Sequence, residues 1–335
     1  MPLDQFGRSL NDLRISVTDR CNFRCPYCMP AKIFGERYKF LPKDKLLTFE
    51  EITRLTKIFV RLGVSKVRLT GGEPLLRNNL TELISQISTA TSIEDLTMTT
   101  NGYLLAQHAR ELKRAGLHRV TISLDAIDDQ LFRRMNGLEL SQEKVLEGIN
   151  AAEEAGLLPI KINSVVQKGV NDQDIVALAK YFKERGHIVR FIEYMDVGTR
   201  NAWKLDDVVP ADEIAATIDA VMPLEPIKAN YSGEVANRYR YRDGGGEIGI
   251  IASVTKPFCG ACTRLRLSPE GKLHTCLFSN IGMDIRDPIR SGSTDHDLLR
   301  IVQNLWKVRD DRYSEERASM NEPRSGKVEM YHIGG

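Results

Sequence analysis

The sequence predicts an α/β fold, a partial (β/α)6 TIM-like barrel over residues 1–198 followed by a smaller C-terminal α+β region over 199–335. Three observations lead there. Between residues 13 and 195 short β-rich runs alternate with stretches of helical periodicity, the pattern of parallel strands joined by crossover helices. The chemically unusual residues fall just after these runs, at the strand ends where barrels and open α/β sheets carry their chemistry. After Gly198 the rhythm breaks.

The six runs are Leu13 to Val17, Val64 to Leu69, Leu96 to Thr99, Val120 to Leu124, Ile160 to Val165 and Val189 to Tyr194. Six strands rather than eight suggest a barrel open on one side. Helical spacing of apolar residues marks Phe49 to Phe59 and Asp172 to Arg185, the latter stopped by Gly186. Beyond Gly198 a helix is expected from Ala211 to Val221 after Pro210, β-rich segments at Glu247 to Thr255 and Thr263 to Leu267, a turn at glycines 244–246, and a helix from Asp295 to Trp306. The polar stretch Ser314 to Gly335 reads as flexible until its last residues.

The 335 residues carry 47 Lys and Arg against 45 Asp and Glu, a formal charge of +2, which makes no general case for nucleic-acid binding. No run is apolar and long enough to span a bilayer, and Met1-Pro2-Leu3-Asp4-Gln5 lacks the basic start of a secretion signal. A cytoplasmic protein is expected, and in a reducing compartment six cysteines point to metal rather than to disulfides.

Cys21, Cys25 and Cys28 place three thiols on one loop leaving the first strand, close enough for one centre. A four-iron cluster held by three thiolates keeps one iron open for another ligand, whereas an electron-carrying cluster normally has four cysteines. Gly71-Gly72-Glu73-Pro74 follows the second strand, where glycines let backbone approach a ligand closely. The other three thiols, Cys259, Cys262 and Cys276, form a second incomplete set. From the cysteines alone a zinc site completed by His274 stays open there. Between them Arg264 and Arg266 share one side of a probable strand, and guanidinium forks suit phosphate.

The spacing C-x3-C-x2-C with Tyr27 before the last cysteine, together with Gly71-Gly72-Glu73, resembles the radical S-adenosylmethionine superfamily. That resemblance implies a four-iron, four-sulfur cluster whose free iron takes the amino and carboxylate groups of S-adenosylmethionine, with Tyr27, Gly72, Glu73, Ser123 and Met195 as cofactor contacts. With both thiol sets the sequence resembles the GTP 3′,8-cyclase family of molybdenum cofactor biosynthesis over almost its whole length. The matching pieces are Leu13 to Arg20, Arg68 to Arg77, Thr99 to Gly102, Cys259 to Arg266 and the final Gly334-Gly335.

The family resemblance implies a lyase that converts GTP to (8S)-3′,8-cyclo-7,8-dihydroguanosine 5′-triphosphate by abstracting a ribose hydrogen and joining that carbon to C8 of the base. It implies a second four-iron, four-sulfur cluster on Cys259, Cys262 and Cys276 that the guanine completes. GTP contacts would be Arg14, Lys66, Arg68, Thr99, Lys161, Arg264 and Arg266, with Arg14, Arg264, Arg266, Gly334 and Gly335 serving catalysis. It further implies a flavodoxin or ferredoxin as electron donor, hand-off of the product to cyclic pyranopterin monophosphate synthase, and a homodimer. The rivals are a radical peptide-modifying enzyme, whose C-terminal extensions carry more cysteines, and an iron-sulfur or zinc regulator, which leaves the glycine motif unexplained.

Overall fold

Each of the first six strands alternates apolar residues with polar ones, and the pleat sends the two sets to opposite faces. The computed structural model of the chain describes residues 1–231, 233–317 and 326–334. Strands β1 (Asp12–Ser16), β2 (Lys66–Thr70), β3 (Asp95–Thr100), β4 (Arg119–Ser123), β5 (Lys161–Val166) and β6 (Ile188–Glu193) pair in sequence order, all parallel. One face presents Leu13, Ile15, Val67, Leu69, Met98, Val120, Ile122, Ile162, Val189 and Phe191, all buried in the main core. Crossover helices α1 (Phe49–Arg61), α2 (Leu80–Ala90), α3 (Leu105–Arg114), α4 (Asp129–Asn136), α5 (Glu143–Glu154) and α6 (Ile175–Lys183) supply the apolar stripes of that core. Helix α1 starts at a full capping box, in which Thr48 and Glu51 each accept the other's backbone N–H. The six strands stand within a residue or two of where the alternation predicts them.

Six further strands come from beyond Gly198: β7 (Leu224–Ile227), β8 (Asn237–Tyr241), β9 (Glu247–Ile251), β10 (Arg264–Leu267), β11 (Lys272–His274) and β12 (Met283–Asp284). They extend the same sheet at both edges, in the order β12-β11-β10-β1-β2-β3-β4-β5-β6-β9-β8-β7. Strand β10 lies parallel to β1 and β9 parallel to β6, while the outer pairs are antiparallel. The curved parallel sheet is thus open between β10 and β9 rather than closed. Helices α7 (Ala211–Asp219), α8 (Arg286–Arg290), α9 (Asp295–Lys307) and α10 (Tyr313–Glu316) complete this region. Strands β7, β8, β11 and β12 escape the sequence reading because they are short or carry alternate charged residues.

Of the stretch expected to be flexible until its last residues, Ser314 to Glu316 lie in α10 and residues 327–334 are buried or half-buried, with a short helix, α11 (Met330–Ile333), near the end. Lys327 is buried, its Nζ donating to Asp196 Oδ2 at 2.7 Å and to the Asp196 carbonyl at 2.9 Å. Glu329 accepts from the Thr199 N–H and hydroxyl at 3.0 Å each, and Tyr331 shares a hydrogen bond with the Tyr38 hydroxyl at 2.9 Å. Tail flexibility is therefore corrected for these residues: polar side chains that looked solvated have buried partners. Residues 318–325 and Gly335 lie outside the described residues.

Helix α5 packs so closely that a Cβ on Gly148 would overlap the Gly102 carbonyl oxygen and lie 3.1 Å from Leu105 Cβ. Alanine ordinarily stabilises a helix interior by about 1 kcal/mol relative to glycine. Here overpacking outweighs propensity, and Gly148→Ala should lose about 1–3 kcal/mol of stability in a denaturant melt. A stabilised variant would contradict the packing described.

Candidate functional site

The loop after β1 carries Cys21, Cys25 and Cys28, and it is held from three sides. A tight turn donates from the Cys28 and Met29 N–H groups to the Cys25 carbonyl at 3.0 and 2.8 Å. Arg24 donates to the Phe34 carbonyl at 2.6 Å and to the Cys21 carbonyl at 2.8 Å. The turn after β2 then closes on the loop: Gly72 N–H meets the Thr18 carbonyl at 2.8 Å and Glu73 N–H the Arg20 carbonyl at 2.7 Å. Glycine is required for this approach, since a Cβ on Gly71 would stand 2.5 Å from the Thr18 oxygen and one on Gly72 2.6 Å from the Arg20 carbonyl carbon.

The three thiols, Tyr27, Gly72, Ser123 and Met195 line one cavity. Glu73, expected among the cofactor contacts, does not line it and stands behind the wall. Its fully buried carboxylate accepts from Leu75 N–H at 3.0 Å, the Thr100 hydroxyl at 2.8 Å and Asn101 N–H at 2.7 Å, tying the ends of β2 and β3 together. Burial raises its pKa to about 7 despite those bonds. Tyr27 donates its hydroxyl to Asp125 Oδ2 at 2.6 Å, and Asp125 Oδ1 accepts from Val165 N–H at 2.9 Å. Asp125, which also lines the cavity, is raised by burial to about 6. Burial likewise pushes Cys21 up to about 12 and raises Cys25 and Cys28, with Asp125 and the neighbouring thiols adding to the effect on Cys25. Metal uptake here must therefore release protons.

Cys259 sits in a single 3-10 turn (Cys259–Ala261), Cys262 precedes β10 and Cys276 follows β11. All three line a second cavity, and all six cysteines are free of disulfides. Burial pushes the Cys262 thiol up, but Arg264 and Arg309 outweigh it and bring it down to about 6, with an Arg264 Nη2–Sγ contact of 3.4 Å. His274 lies outside that cavity's lining, and its Nδ1 bonds the Ser279 hydroxyl at 2.8 Å. Among the described residues, no three His, Cys, Asp or Glu side chains are grouped as they would be around a single metal ion. Three thiols spread around one cavity suit a multi-iron cluster, whose thiolates bind different irons.

The face of the sheet turned away from the crossover helices is polar and cation-rich. Register places Arg266, Arg14, Arg68, Thr97 and Arg119 side by side across β10, β1, β2, β3 and β4. One layer lower run Arg264, Asp12, Lys66 and Asp95, where Lys66 stands 3.7 Å from both carboxylates. In the upper layer burial and mutual repulsion lower the pKa of Arg14 and Arg266 well below the usual guanidinium range, and Arg68 to about 9. Arg190 and Asn163, absent from the sequence-based set, face the same side nearer the strand ends: Arg190 Nε donates to Asn163 Oδ1 at 2.9 Å, and both line the cavity of the second thiol set. For Arg190 the signal was available, because it alternates with core residues as the named cations do, in Val189-Arg190-Phe191, whereas Asn163 stands between Ile162 and the polar Ser164.

Thr99, Asn163, Ile192 and Met195 line both cavities, so the two thiol sets open onto one shared sill. Thr99 Oγ1 is fixed by Arg68 Nη1 at 2.9 Å. Counting space open to solvent, the two cavities comprise ≈ 940 and ≈ 1090 Å³. Arg14, Arg68, Arg264 and Arg266 line the second cavity, whereas Lys66 lines a smaller cleft with Tyr231 and Lys161 stands at the start of β5 outside all three linings. Gly334 reaches the mouth: its carbonyl accepts from Arg266 Nη1, and a Cβ there would overlap the Thr70 side chain. Gly335, its expected partner, lies outside the described residues.

An open parallel sheet with a three-thiol loop after its first strand and a close-packed glycine turn after its second defines the radical S-adenosylmethionine class. The sequence profile described as Radical SAM superfamily matches residues 15–182, and that described as Molybdenum Cofactor Synthesis C matches 187–315. The GTP 3′,8-cyclase of Acidothermus cellulolyticus is 50% identical over 99% of this chain and 98% of its own. Those of Staphylococcus haemolyticus and Staphylococcus aureus are 48% and 47% identical at the same coverage. The chain belongs to the GTP 3′,8-cyclase family. In fold it is also similar to Streptococcus suis SuiB bound to S-adenosylmethionine, at TM-score 0.62 and 15% identity over 95% of this chain and 69% of that one. Methylornithine synthase gives 0.51 at 14% identity, over 93% and 86%.

Gly72→Ala should push the thiol loop away from the turn after β2. Anaerobic reconstitution is then expected to lose the iron held at Cys21, Cys25 and Cys28, about four irons per chain. Full iron content with unchanged S-adenosylmethionine affinity would show that the close approach is dispensable.

Proposed function

We propose that the chain cyclises GTP to (8S)-3′,8-cyclo-7,8-dihydroguanosine 5′-triphosphate, the first step of molybdenum cofactor biosynthesis, using S-adenosylmethionine and two four-iron, four-sulfur clusters. The observation that carries this reading is the shared sill: two thiol-lined cavities meet at Thr99, Asn163, Ile192 and Met195 beside a row of arginines. One cavity suits the cofactor and the other a polyanionic nucleotide. The division of labour falls between residues 1–198 and 199–335, with strands of both halves in one sheet.

Cys21, Cys25 and Cys28 would hold the first cluster, and Tyr27, Gly72, Ser123 and Met195 the cofactor beside it. When bound, S-adenosylmethionine supplies a radical able to abstract a ribose hydrogen. Cys259, Cys262 and Cys276 would hold the second cluster, open on one side to the base. Arg14, Arg68, Arg190, Arg264 and Arg266 bind the triphosphate and ribose, because an inward row of buried cations gains most from a ligand that returns negative charge to it. Lys66 and Lys161 add charge from the bottom of the sheet. Thr99, oriented by Arg68, holds the ribose on the sill, where a small displacement would cost much of the rate. The tail, with Gly334 against Thr70 and Arg266, narrows the site and excludes water, and Gly335 is assigned to catalysis with it.

The same reading entails an external one-electron donor of the flavodoxin or ferredoxin kind, product hand-off to cyclic pyranopterin monophosphate synthase, a homodimer and a cytoplasmic location. Among the described residues, no helix is long and apolar enough to cross a membrane.

Anaerobic reconstitution with iron and sulfide should give about eight irons per chain. With S-adenosylmethionine and a reductant the protein should then consume GTP to a cyclised product. Cys262→Ala should still cleave the cofactor without cyclising GTP. Stoichiometric zinc at the second thiol set, or GTP left untouched while a peptide is modified, would defeat the reading.

Burial, then Arg190 and Arg119, lower Lys161 to about 8. A polyanion prefers the charged amine, so affinity for GTP should fall as pH rises through 8, by about tenfold for one charge-assisted contact. Lys161→Arg stays charged and should flatten the profile between pH 7 and pH 9. Calorimetric titration without cofactor measures it, and parallel profiles for both proteins would remove Lys161 from the site.

A further inference from the structure

The second thiol set lies within residues 259–276, and what ties it to distant parts of the chain is a buried cluster formed by residues 4–8 and Arg309. Asp4 is enclosed, with 0% side-chain exposure, and the two guanidiniums on it, Arg8 and Arg309, are 2% exposed each. Its Oδ1 accepts from the backbone N–H groups of Phe6 at 3.0 Å and Arg8 at 2.9 Å, which folds residues 4–8 into a tight loop. Its Oδ2 accepts from Arg8 Nε at 2.6 Å and Arg309 Nη1 at 3.1 Å. One carboxylate therefore orients two arginines.

Each arginine then reaches the thiol-bearing segments. Arg8 Nη1 donates to the Cys259 carbonyl at 2.8 Å and to the Asp311 carbonyl at 2.9 Å. Arg309 Nη1 donates to the Cys262 carbonyl at 2.8 Å, and its Nε to the carbonyl of Thr275, the neighbour of Cys276, at 3.2 Å. The backbone at all three cysteines is thus tied to one buried ion triad. Trp306, fully buried at the end of α9, donates Nε1 to the Arg8 carbonyl at 2.9 Å and lies 4.5 Å from the Arg309 guanidinium, closing the assembly from behind. Planar forks with several donors can serve two carbonyls and a carboxylate together, which lysine cannot.

We propose that Asp4, Arg8 and Arg309 are positioning residues for the second thiol set, a buried clamp through which the first residues of the chain set the spacing of Cys259, Cys262 and Cys276. This rests on the reading that those thiols hold an iron-sulfur cluster. Cluster assembly on three thiols needs their spacing before the metal arrives, so the clamp acts in the metal-free protein as well as the loaded one. Removing Asp4 leaves the Arg8 guanidinium enclosed without its carboxylate and Arg309 with only Asp311 Oδ2, 3.5 Å from its Nε.

The test uses the full chain carrying Asp4→Asn or Arg309→Lys, compared with wild type. In the metal-free proteins, hydrogen exchange at residues 259–262 and 275–278 should be about tenfold faster in both variants, with exchange in β2 to β5 unchanged. After anaerobic loading with iron and sulfide, Asp4→Asn should fall from about eight irons per chain toward about four. The electron paramagnetic resonance signal that shifts on adding S-adenosylmethionine should persist. Unchanged exchange with a full iron complement in Asp4→Asn overturns the clamp. So does equal loss of both clusters with faster exchange throughout, which would make the triad a general support of the fold. Wild type that loads only about four irons defeats the two-cluster reading instead, and the metal-free exchange data then judge the clamp by themselves.

Discussion

The pleat of one parallel sheet governs this protein. Because successive side chains alternate between faces, the strands that bury Leu13, Val67, Ile122 and Phe191 against helices must turn Arg14, Arg68, Thr121 and Arg190 the other way. A parallel sheet is ordinarily apolar on both faces. Here one face is given to cations, and β10 adds Arg264 and Arg266 in register with Asp12 and Arg14. Crowding these like charges costs stability that Asp12 and Asp95 offset in part and that a polyanionic ligand would offset further. The depressed pKa values of Arg14, Arg68 and Arg266 state that cost in chemical terms.

The two thiol sets lie in opposite electrostatic settings. Cys21, Cys25 and Cys28 are enclosed near Glu73 and Asp125, and burial keeps the thiols protonated. Cys262 lies against Arg264 and Arg309, which favour the thiolate. Two sets of three thiols are thereby given different environments, the first beside carboxylates and the second beside guanidiniums. The sill of Thr99, Asn163, Ile192 and Met195 keeps the two within reach of each other.

Around these sets buried polar supports add to the apolar packing of Phe34 and Tyr331 near Cys21 and Cys28 and of Phe278 and Tyr313 near Cys276. Glu73 links β2 to β3 behind the cofactor cavity, Asp196 holds Lys327 of the tail, and Asp4 holds Arg8 and Arg309. In each case one carboxylate takes several donors, which fixes orientation more sharply than packing does. Glu73 read as a ligand because it completes a recognisable motif, yet its oxygens are spent on Leu75, Thr100 and Asn101.

Local sequence determined the six central strands, the helices between them and both thiol sets, because alternation and helical periodicity are properties of neighbouring residues and cysteine spacing is explicit. Arg264 and Arg266 were legible for the same reason, as alternate positions of one short strand. What only the tertiary structure decided depends on residues distant in sequence. Strands β9 and β10 join opposite edges of the sheet, Asn163 meets Arg190, Lys327 is buried on Asp196, and Asp4 reaches the carbonyls around Cys259 and Cys262 through two arginines. A charged side chain reads in sequence as solvated, and its buried partner becomes visible only once the chain has closed loops of many tens of residues, where no local periodicity records the pairing.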